Sequence, residues 1–136
     1  MKIACLDFEG VLVPEIWIAL AERSGIEDLK VTTRDIPDYD ELMRYRLEVV
    51  AKHGLRFSDI YGAASSLDPL PGAIKFLSWL RSRCQIVIVS DTFHEIAQPL
   101  TAKLGDPMIL CHRLEINTEG GIVGYRLRQD DPKRRA

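Results

Sequence analysis

The sequence has few of the residues from which disulfide and zinc frameworks are built. Its three cysteines, Cys5, Cys84 and Cys111, are an odd number, lie far apart and form no CxxC pair. They therefore predict neither a disulfide framework nor a zinc site. All three fall in or beside apolar runs, which favours small buried hydrophobic side chains, and a cysteine nucleophile is the alternative.

The sequence also lacks a strong excess of charge and any long apolar run. Its formal net charge is −2, so no global field attracts nucleic acid or an anionic membrane. No run approaches the length of a transmembrane helix, and the charged residue Asp7 comes too early for a signal peptide. We therefore expect a cytoplasmic protein whose partner is a small molecule, with no nucleic acid and no membrane.

The 136 residues, 46% of them hydrophobic, are enough for one domain with a sizeable core. Short apolar strands alternate with amphipathic helices. The predicted strands are IACL (3–6), IVIV (86–89) and MILC (108–111), and residues 113–128 alternate around a glycine turn as a hairpin does. The order strand, helical insert, helix, strand, helix, strand, hairpin favours an α/β fold with a parallel sheet.

Five segments have the pattern of amphipathic helices, separated by a polar loop at 32–40 and a proline-rich junction at 67–72. The first places Ile16, Trp17, Leu20 and Ala21 on one stripe and ends at Gly25. The second ends at Gly54, and the third is short. The fourth places Ile74, Leu77 and Leu80 on one stripe, and Pro99 kinks the fifth or marks its start.

Polar residues follow two of the apolar strands immediately, Asp7 after the first and Ser90 after the second. Because ligands bind at the carboxyl ends of parallel strands, these two residues predict an active site. Taken alone, Asp7 is more often the cap of a turn and Ser90 is as often a helix N-cap.

A carboxylate such as Asp7 can attack phosphorus and form an aspartyl-phosphate. Glu9 can protonate the leaving oxygen and then activate water. Gly10 allows a sharp turn whose N–H groups face a phosphate. Ser90 offers a hydroxyl beside the N–H of Asp91. Lys133 can balance the charge, although a tail lysine is usually solvated.

The stretches DFEGVL, VIVSDTF and DPKRR, in this order with a helical insert after the first, resemble motifs of the haloacid dehalogenase superfamily. Within it, ACLDFEGVLVPEIWIA, TTRDIPDYD and GYRLRQDDPKR are similar to the phosphoserine phosphatase/homoserine phosphotransferase family. The resemblance implies a Rossmann-like parallel-sheet core, residues 1–14 and 69–136, with an inserted helical cap, residues 15–68. It also implies a cytoplasmic enzyme, with a homodimer as one arrangement.

The resemblance assigns a role to each matching position. Asp7 corresponds to the nucleophile and Glu9 to the acid/base, and the Asp7 carboxylate and the Glu9 backbone carbonyl correspond to ligands of Mg²⁺. Ser90, Asp91 and Lys133 correspond to the phosphate-binding residues, with Gly10 in the turn beside them. Glu15 corresponds to the acid that holds the substrate amine and Arg46 to the arginine that binds its carboxylate, and Tyr39 is included with these substrate-binding residues. Without the resemblance, Arg46 would be read as part of a solvated helix face and Tyr39 as packing.

The sequence departs from the family in two places. Asp91 and Thr92 stand where many phosphoserine phosphatases have two glycines. The later strand with a GDxxxD-like motif, which completes the family's Mg²⁺ site, has no counterpart. We therefore expect a C-terminally incomplete core whose first strand lies at a sheet edge.

Three functions remain open from the sequence. The first is Mg²⁺-dependent hydrolysis of phosphoserine, with phosphoryl transfer to homoserine as a second reaction of the same site. The others are a catalytically silent fragment that associates through its sheet edge, and a phosphatase for another small phosphate ester.

Overall fold

The computed structural model describes residues 1–128. Within them the chain forms four strands: β1 (Ile3–Leu6), β2 (Gln85–Phe93), β3 (Met108–Ile116) and β4 (Ile122–Arg126). The helices are α1 (Ile16–Ser24), α2 (Tyr39–Lys52), α3 (Phe57–Ser65), α4 (Ala73–Arg81) and α5 (His94–Lys103), with a 3₁₀ helix at Glu27–Lys30. None of the described helices has the length and apolar character needed to cross a membrane.

The four strands form one sheet in the order β1-β2-β3-β4. β1 and β3 both pair in parallel with β2, and β4 pairs antiparallel with β3. A helical connection joins the two strands of each parallel pair. Parallel strands require such a crossover, because a tight turn leads into an antiparallel strand. The predicted α/β class, the mostly parallel sheet and the terminal hairpin are confirmed.

β1 lies at one edge of the described sheet, as expected, but it is not buried on both faces. Ile3 is 60% exposed and Cys5 is exposed, so the prediction of a buried Cys5 is wrong. Among residues 1–128, β1 has a strand partner on one side only. Deep burial begins immediately after the strand, at Phe8, which is fully buried.

The second strand is longer than the apolar pattern predicts. Residues 86–89 were expected, yet β2 continues through Ser90 to Phe93, with an irregular register between Val89 and Phe93. Similarly, the predicted third strand and the first hairpin strand are one continuous strand, β3. The polar residues SDT are therefore part of the distorted carboxyl end of β2, an inner strand of the sheet.

Helix α1 agrees with its sequence pattern. Its buried residues are the predicted ones, and it ends at Ser24. Gly25 then adopts φ 75°, and its N–H donates to the Ala21 carbonyl at 2.9 Å. This left-handed conformation strongly favours glycine and satisfies a terminal carbonyl of the helix.

Two other helices differ in detail from their patterns. In α4 the buried residues are Ala73 and Leu77, whereas Ile74 is 56% exposed, so the predicted stripe was wrong at that position. Pro99 lies inside α5 and does not mark its start.

The helical insert and the sheet share one hydrophobic core. Phe8, Leu20, Ile60, Ile88 and Leu100, which come from both parts of the chain, belong to a single cluster and are at most 1% exposed. This packing holds the insert against the sheet. The division into a core and a cap at residues 15–68 stays a prediction.

Candidate active site

The polar ends of β1 and β2 border a cavity of about 250 Å³ that α1, α2 and the loop before α2 also line. The predicted catalytic and phosphate-binding residues at this cavity are Asp7, Glu9, Ser90 and Asp91. The predicted substrate-binding residues Glu15, Tyr39 and Arg46 line it as well. The fold therefore brings together residues as far apart in the sequence as Asp7 and Asp91.

Asp7 is the first residue after β1 and reaches the cavity from the sheet edge. Its Oδ1 accepts the backbone N–H of Phe8 at 2.8 Å. The fully buried Phe8 side chain fixes the backbone at this point. Asp7 thus makes a local hydrogen bond of the kind that a turn aspartate makes, and it also lines the cavity.

Glu9 is held at the N-terminus of α1. Its Oε2 accepts the N–H of Ile16, the first residue of the helix, at 3.0 Å. Desolvation by burial raises the pKa of the Glu9 carboxyl, while the Ile16 hydrogen bond and the Arg46 charge oppose this. Burial is the largest effect, so the protonated form is favoured compared with an exposed glutamate. A group that retains its proton in this way is suited to act as a general acid.

Arg46 projects from α2 into the cavity and is only 8% exposed. Its Nη2 donates to the Val31 carbonyl at 3.1 Å, and its guanidinium lies 4.9 Å from the centre of the Trp17 ring. Burial lowers its pKa, and the nearby Glu9 opposes that shift. Among the described residues, its buried Nε has no hydrogen-bond partner. Arg46 thus brings a positive charge to the cavity, which favours an anionic ligand group there.

The two other predicted substrate-binding residues make different contacts. Oε1 of Glu15 lies 3.7 Å from Nη2 of Arg34, at an exposed position. The Tyr39 hydroxyl donates to the Asp91 carbonyl at 2.6 Å, and burial raises the pKa of this phenol. Tyr39 therefore lines the cavity and uses its hydroxyl proton to hold the end of β2.

Ser90 is 2% exposed, and its Oγ accepts the backbone N–H of Thr92 at 3.1 Å. Its hydroxyl proton can still be donated to a ligand. The alternative interpretation as a helix N-cap is wrong, because α5 begins at His94 and its N-cap is Phe93.

The structure does not bring Gly10 to the cavity. Gly10 adopts φ 79°, as the predicted sharp turn requires. However, its N–H donates to the Val13 carbonyl at 2.7 Å, and Gly10 is not one of the lining residues. The N–H of Gly10 itself is therefore used within the turn, and the phosphate-binding role of the turn stays a prediction. Lys133 lies outside the described residues.

Asp7 and Glu9 offer donors of the type that Mg²⁺ prefers, a carboxylate and a backbone carbonyl. None of the backbone hydrogen bonds in residues 8–13 uses the Glu9 carbonyl as acceptor. Among residues 1–128, however, no group of three or more His, Cys, Asp or Glu side chains could hold a metal ion. The described residues thus fit Mg²⁺ in chemical type and supply only part of its ligands.

Sequence reasoning gave no site role to several residues at or beside the site, among them Thr92, Trp17 and His112. Thr92 lines the cavity two positions after Ser90, beyond the point at which the apolar pattern ends the strand. Trp17 also lines it, although its place on an apolar stripe predicted core packing only. His112 is buried on β3 and lies 3.6 Å from Asp91. No sequence pattern indicates a role for it, because the pattern does not predict the continuation of β3.

Comparison with known proteins gives close relatives over the whole chain. The chain is 60% identical to phosphoserine phosphatase ThrH of Pseudomonas aeruginosa, covering 100% of this chain and 66% of that protein. It is 58% identical to a phosphoserine phosphatase of Pseudomonas syringae pathovar tomato, covering 100% of this chain and 57% of that protein. The chain thus spans somewhat less than two thirds of the length of these relatives. No family model matches it.

Solved structures share the fold. A phosphoserine phosphatase from T. onnurineus aligns with a TM-score of 0.71 and 25% identity over 96% of this chain and 66% of that one. A substrate-bound phosphoserine phosphatase complex aligns with a TM-score of 0.75 and 20% identity over 93% of this chain and 62% of that one. Their fold is the expected Rossmann-like core of the haloacid dehalogenases. The alignments at 58% and 60% identity over all of this chain, together with the shared fold, show that the chain belongs to the phosphoserine phosphatase family of the haloacid dehalogenase superfamily.

Proposed function

We propose that this chain carries the nucleophile and substrate subsites of a phosphomonoester hydrolase that acts on phosphoserine. The observation that supports this most directly is that Asp7, Glu9, Ser90 and Arg46 line one cavity. The names of the relatives point to the same substrate.

The reaction takes place in two steps at Asp7. A carboxylate oxygen of Asp7 attacks phosphorus while the bond from phosphorus to the serine oxygen breaks, and Glu9 gives its proton to that oxygen. The ionised Glu9 then takes a proton from water as the water oxygen attacks the aspartyl-phosphate. This releases inorganic phosphate and restores both carboxyl groups. The raised pKa of Glu9 suits the first step.

The phosphate and the amino-acid part of the substrate would occupy different walls of the cavity. The Ser90 hydroxyl and the backbone N–H of Asp91 hold the phosphate at the end of β2, with Lys133 as the cation that balances its charge. Arg46, which lines the cavity, binds the carboxylate through its guanidinium, and Glu15 binds the ammonium group.

Mg²⁺ is part of the proposal as an ion held by the Asp7 carboxylate, the Glu9 carbonyl and waters. When bound, it neutralises charge on the phosphoryl oxygens and thereby aids nucleophilic attack. Phosphoryl transfer to homoserine is a further proposed reaction, since it needs only an acceptor hydroxyl that replaces the attacking water. We further propose a cytoplasmic enzyme of amino-acid biosynthesis that forms a homodimer. A phosphatase for another small phosphate ester remains the alternative.

The test is release of phosphate from phosphoserine by the purified chain with Mg²⁺. Asp7→Asn should lower the rate by about 10³-fold or more, because an amide is a poor nucleophile. Asp28→Asn, an exposed residue of the 3₁₀ helix, is the matched control and should keep wild-type activity. Equal activity of Asp7→Asn and the wild type would rule out Asp7 as the nucleophile. Faster turnover of a sugar phosphate would favour the alternative substrate.

The exposed edge of the sheet favours a second candidate function, association with another chain through β1. Ile3 is 60% exposed on this edge, and unpaired edge strands readily add a further strand. Ile3→Lys should then shift the chain from a larger species to the monomer in light scattering. A monomer in both proteins, together with phosphatase activity, would exclude this candidate.

A further inference from the structure

His112 is a buried histidine behind the wall of the cavity. It lies on β3 opposite Phe93, at the distorted end of β2, and its side chain is 1% exposed. It is not one of the residues that line the cavity, and the proposed reaction gives it no role. A buried polar side chain needs partners, and those of His112 point to one residue of the site.

The contacts of His112 determine which ring nitrogen carries the proton. Its Nδ1 accepts the backbone N–H of Arg128 at 2.9 Å. In the neutral ring the proton is therefore on Nε2. Nε2 lies 3.6 Å from Oδ1 of Asp91, slightly beyond the range of a direct hydrogen bond. The Nε2–H dipole and the Asp91 carboxylate are thus close enough to attract each other electrostatically.

Asp91 is constrained at a second point by the same cluster. Its carbonyl accepts the Tyr39 hydroxyl at 2.6 Å, and the Tyr39 ring lies 5.5 Å from the His112 ring. The Phe93 ring lies 6.2 Å from His112. Tyr39, which holds the Asp91 carbonyl, and His112, which lies beside the Asp91 carboxylate, therefore pack on one another.

This arrangement matters because Asp91 brings a negative charge to a proposed phosphate subsite. It directly follows Ser90, lines the cavity, and has a side chain that is 42% exposed. A carboxylate that turned toward a bound phosphate would repel it. The backbone N–H of Asp91 can hold the phosphate only if its side chain points elsewhere.

We propose that His112 is a positioning residue that draws the Asp91 carboxylate away from the phosphate subsite. This inference rests on the proposed function for its kinetic consequence, and on geometry alone for the contact between the two side chains. It assigns His112 an effect on substrate binding without any contact with the substrate.

The kinetic test is a double-mutant cycle on phosphoserine hydrolysis. His112→Phe keeps the ring and removes the N–H. We expect it to raise KM by about tenfold and to change kcat by less than about threefold, since the lost effect is on binding. His112→Gln offers a side-chain N–H again and should recover most of the lost affinity. Asp91→Asn sets a new baseline, on which His112→Phe should change KM by less than about twofold.

An equal rise of KM in both backgrounds would mean that His112 acts only through packing, and would overturn the proposal. A fall in kcat with unchanged KM would overturn it as well. Circular dichroism of each variant establishes that the fold is retained before the kinetic values are compared.

A second measurement does not depend on activity. Nitrogen-15 NMR of the histidine side chains near pH 8 should show one ring, absent in His112→Phe, with its proton on Nε2. Its Nε2 resonance should move in Asp91→Asn. A proton on Nδ1, or an Nε2 resonance unaffected by Asp91→Asn, would overturn the inference even in an active protein. The expected signals in a chain that releases no phosphate would support the contact and refute only the proposed function.

Discussion

At the scale of the residue, Glu9 shows how local structure can set opposing preferences for one carboxyl group. The N–H of Ile16 and the charge of Arg46 favour the carboxylate, while burial favours the protonated acid and has the largest effect. The folded state therefore holds this proton more tightly than the unfolded chain does. As a consequence, the contribution of Glu9 to stability is present at low pH and is lost as the pH rises above about 4.5 toward the raised pKa.

Glu9→Gln keeps an oxygen for the Ile16 N–H and removes the titration. Phosphate release should fall by about 10²–10⁴-fold, as for loss of a general acid. The free energy of unfolding of the variant relative to the wild type should rise with pH above about 4.5, because only the wild type must ionise a buried acid. Urea unfolding from acidic to neutral pH measures this. A difference that is constant over the pH range would mean that burial does not perturb Glu9.

Asp7 and Ser90 could be placed at the candidate site from the sequence because they directly follow apolar runs, at the end of a parallel sheet where ligands bind. Glu9 could be placed there because it is a second carboxylate two positions after Asp7. Arg46 was identified only through the family resemblance, since an arginine on an amphipathic helix is usually exposed. His112 could not be identified, because its role depends on a contact between β3 and the end of β2. Such a contact between distant residues leaves no trace in local sequence periodicity.

At the scale of the element, predictions succeeded where a local chemical reason fixes the boundary and failed where it does not. Gly25 ends α1 because its left-handed φ favours a residue without Cβ. The sequence predicts too early an end for β2, because the polar residues SDT do not have the pattern of a strand. In the structure the strand continues past them to Phe93, which pairs with His112 of β3. Ile74 was assigned to the buried stripe of α4 because spacing alone does not tell which face of a helix meets the sheet.

Gly25→Ala should destabilise the protein by about 1 kcal/mol, because alanine is strained at a φ of 75°. Gly62→Ala is a matched control of opposite sign. Gly62 lies inside α3, and an added Cβ would meet Arg23 only at 3.6 Å, an ordinary contact. It should stabilise the protein by about 0.5–1 kcal/mol through helix propensity. Urea unfolding measures both changes. Two changes of the same sign would contradict the role assigned to the Gly25 conformation.

At the scale of the whole molecule, two tyrosine hydroxyls tie the start of α2 to the sheet. Tyr39 on α2 donates to the Asp91 carbonyl of β2, and Tyr125 on β4 donates to Oδ1 of Asp40 at 2.6 Å. Burial and the bond to Asp40 raise the pKa of Tyr125 to about 12, so its proton remains at all ordinary pH values. These hydrogen bonds hold α2, which carries Arg46, against the sheet, in which β2 carries Ser90.

Tyr125→Phe removes the hydrogen bond to Asp40 and leaves the residues of the cavity unchanged. If the helical insert can open separately from the sheet, amide hydrogen exchange in α2 should accelerate about fivefold, which corresponds to a hydrogen bond of about 1 kcal/mol. Exchange in β2 should then stay unchanged, because the sheet does not need to open. Tyr61→Phe, on the partly exposed side of α3, is the control and should alter neither element. Equal acceleration in α2 and β2 would show that the shared core makes the insert and the sheet one cooperative unit, in which Arg46 cannot move away from Ser90 without unfolding.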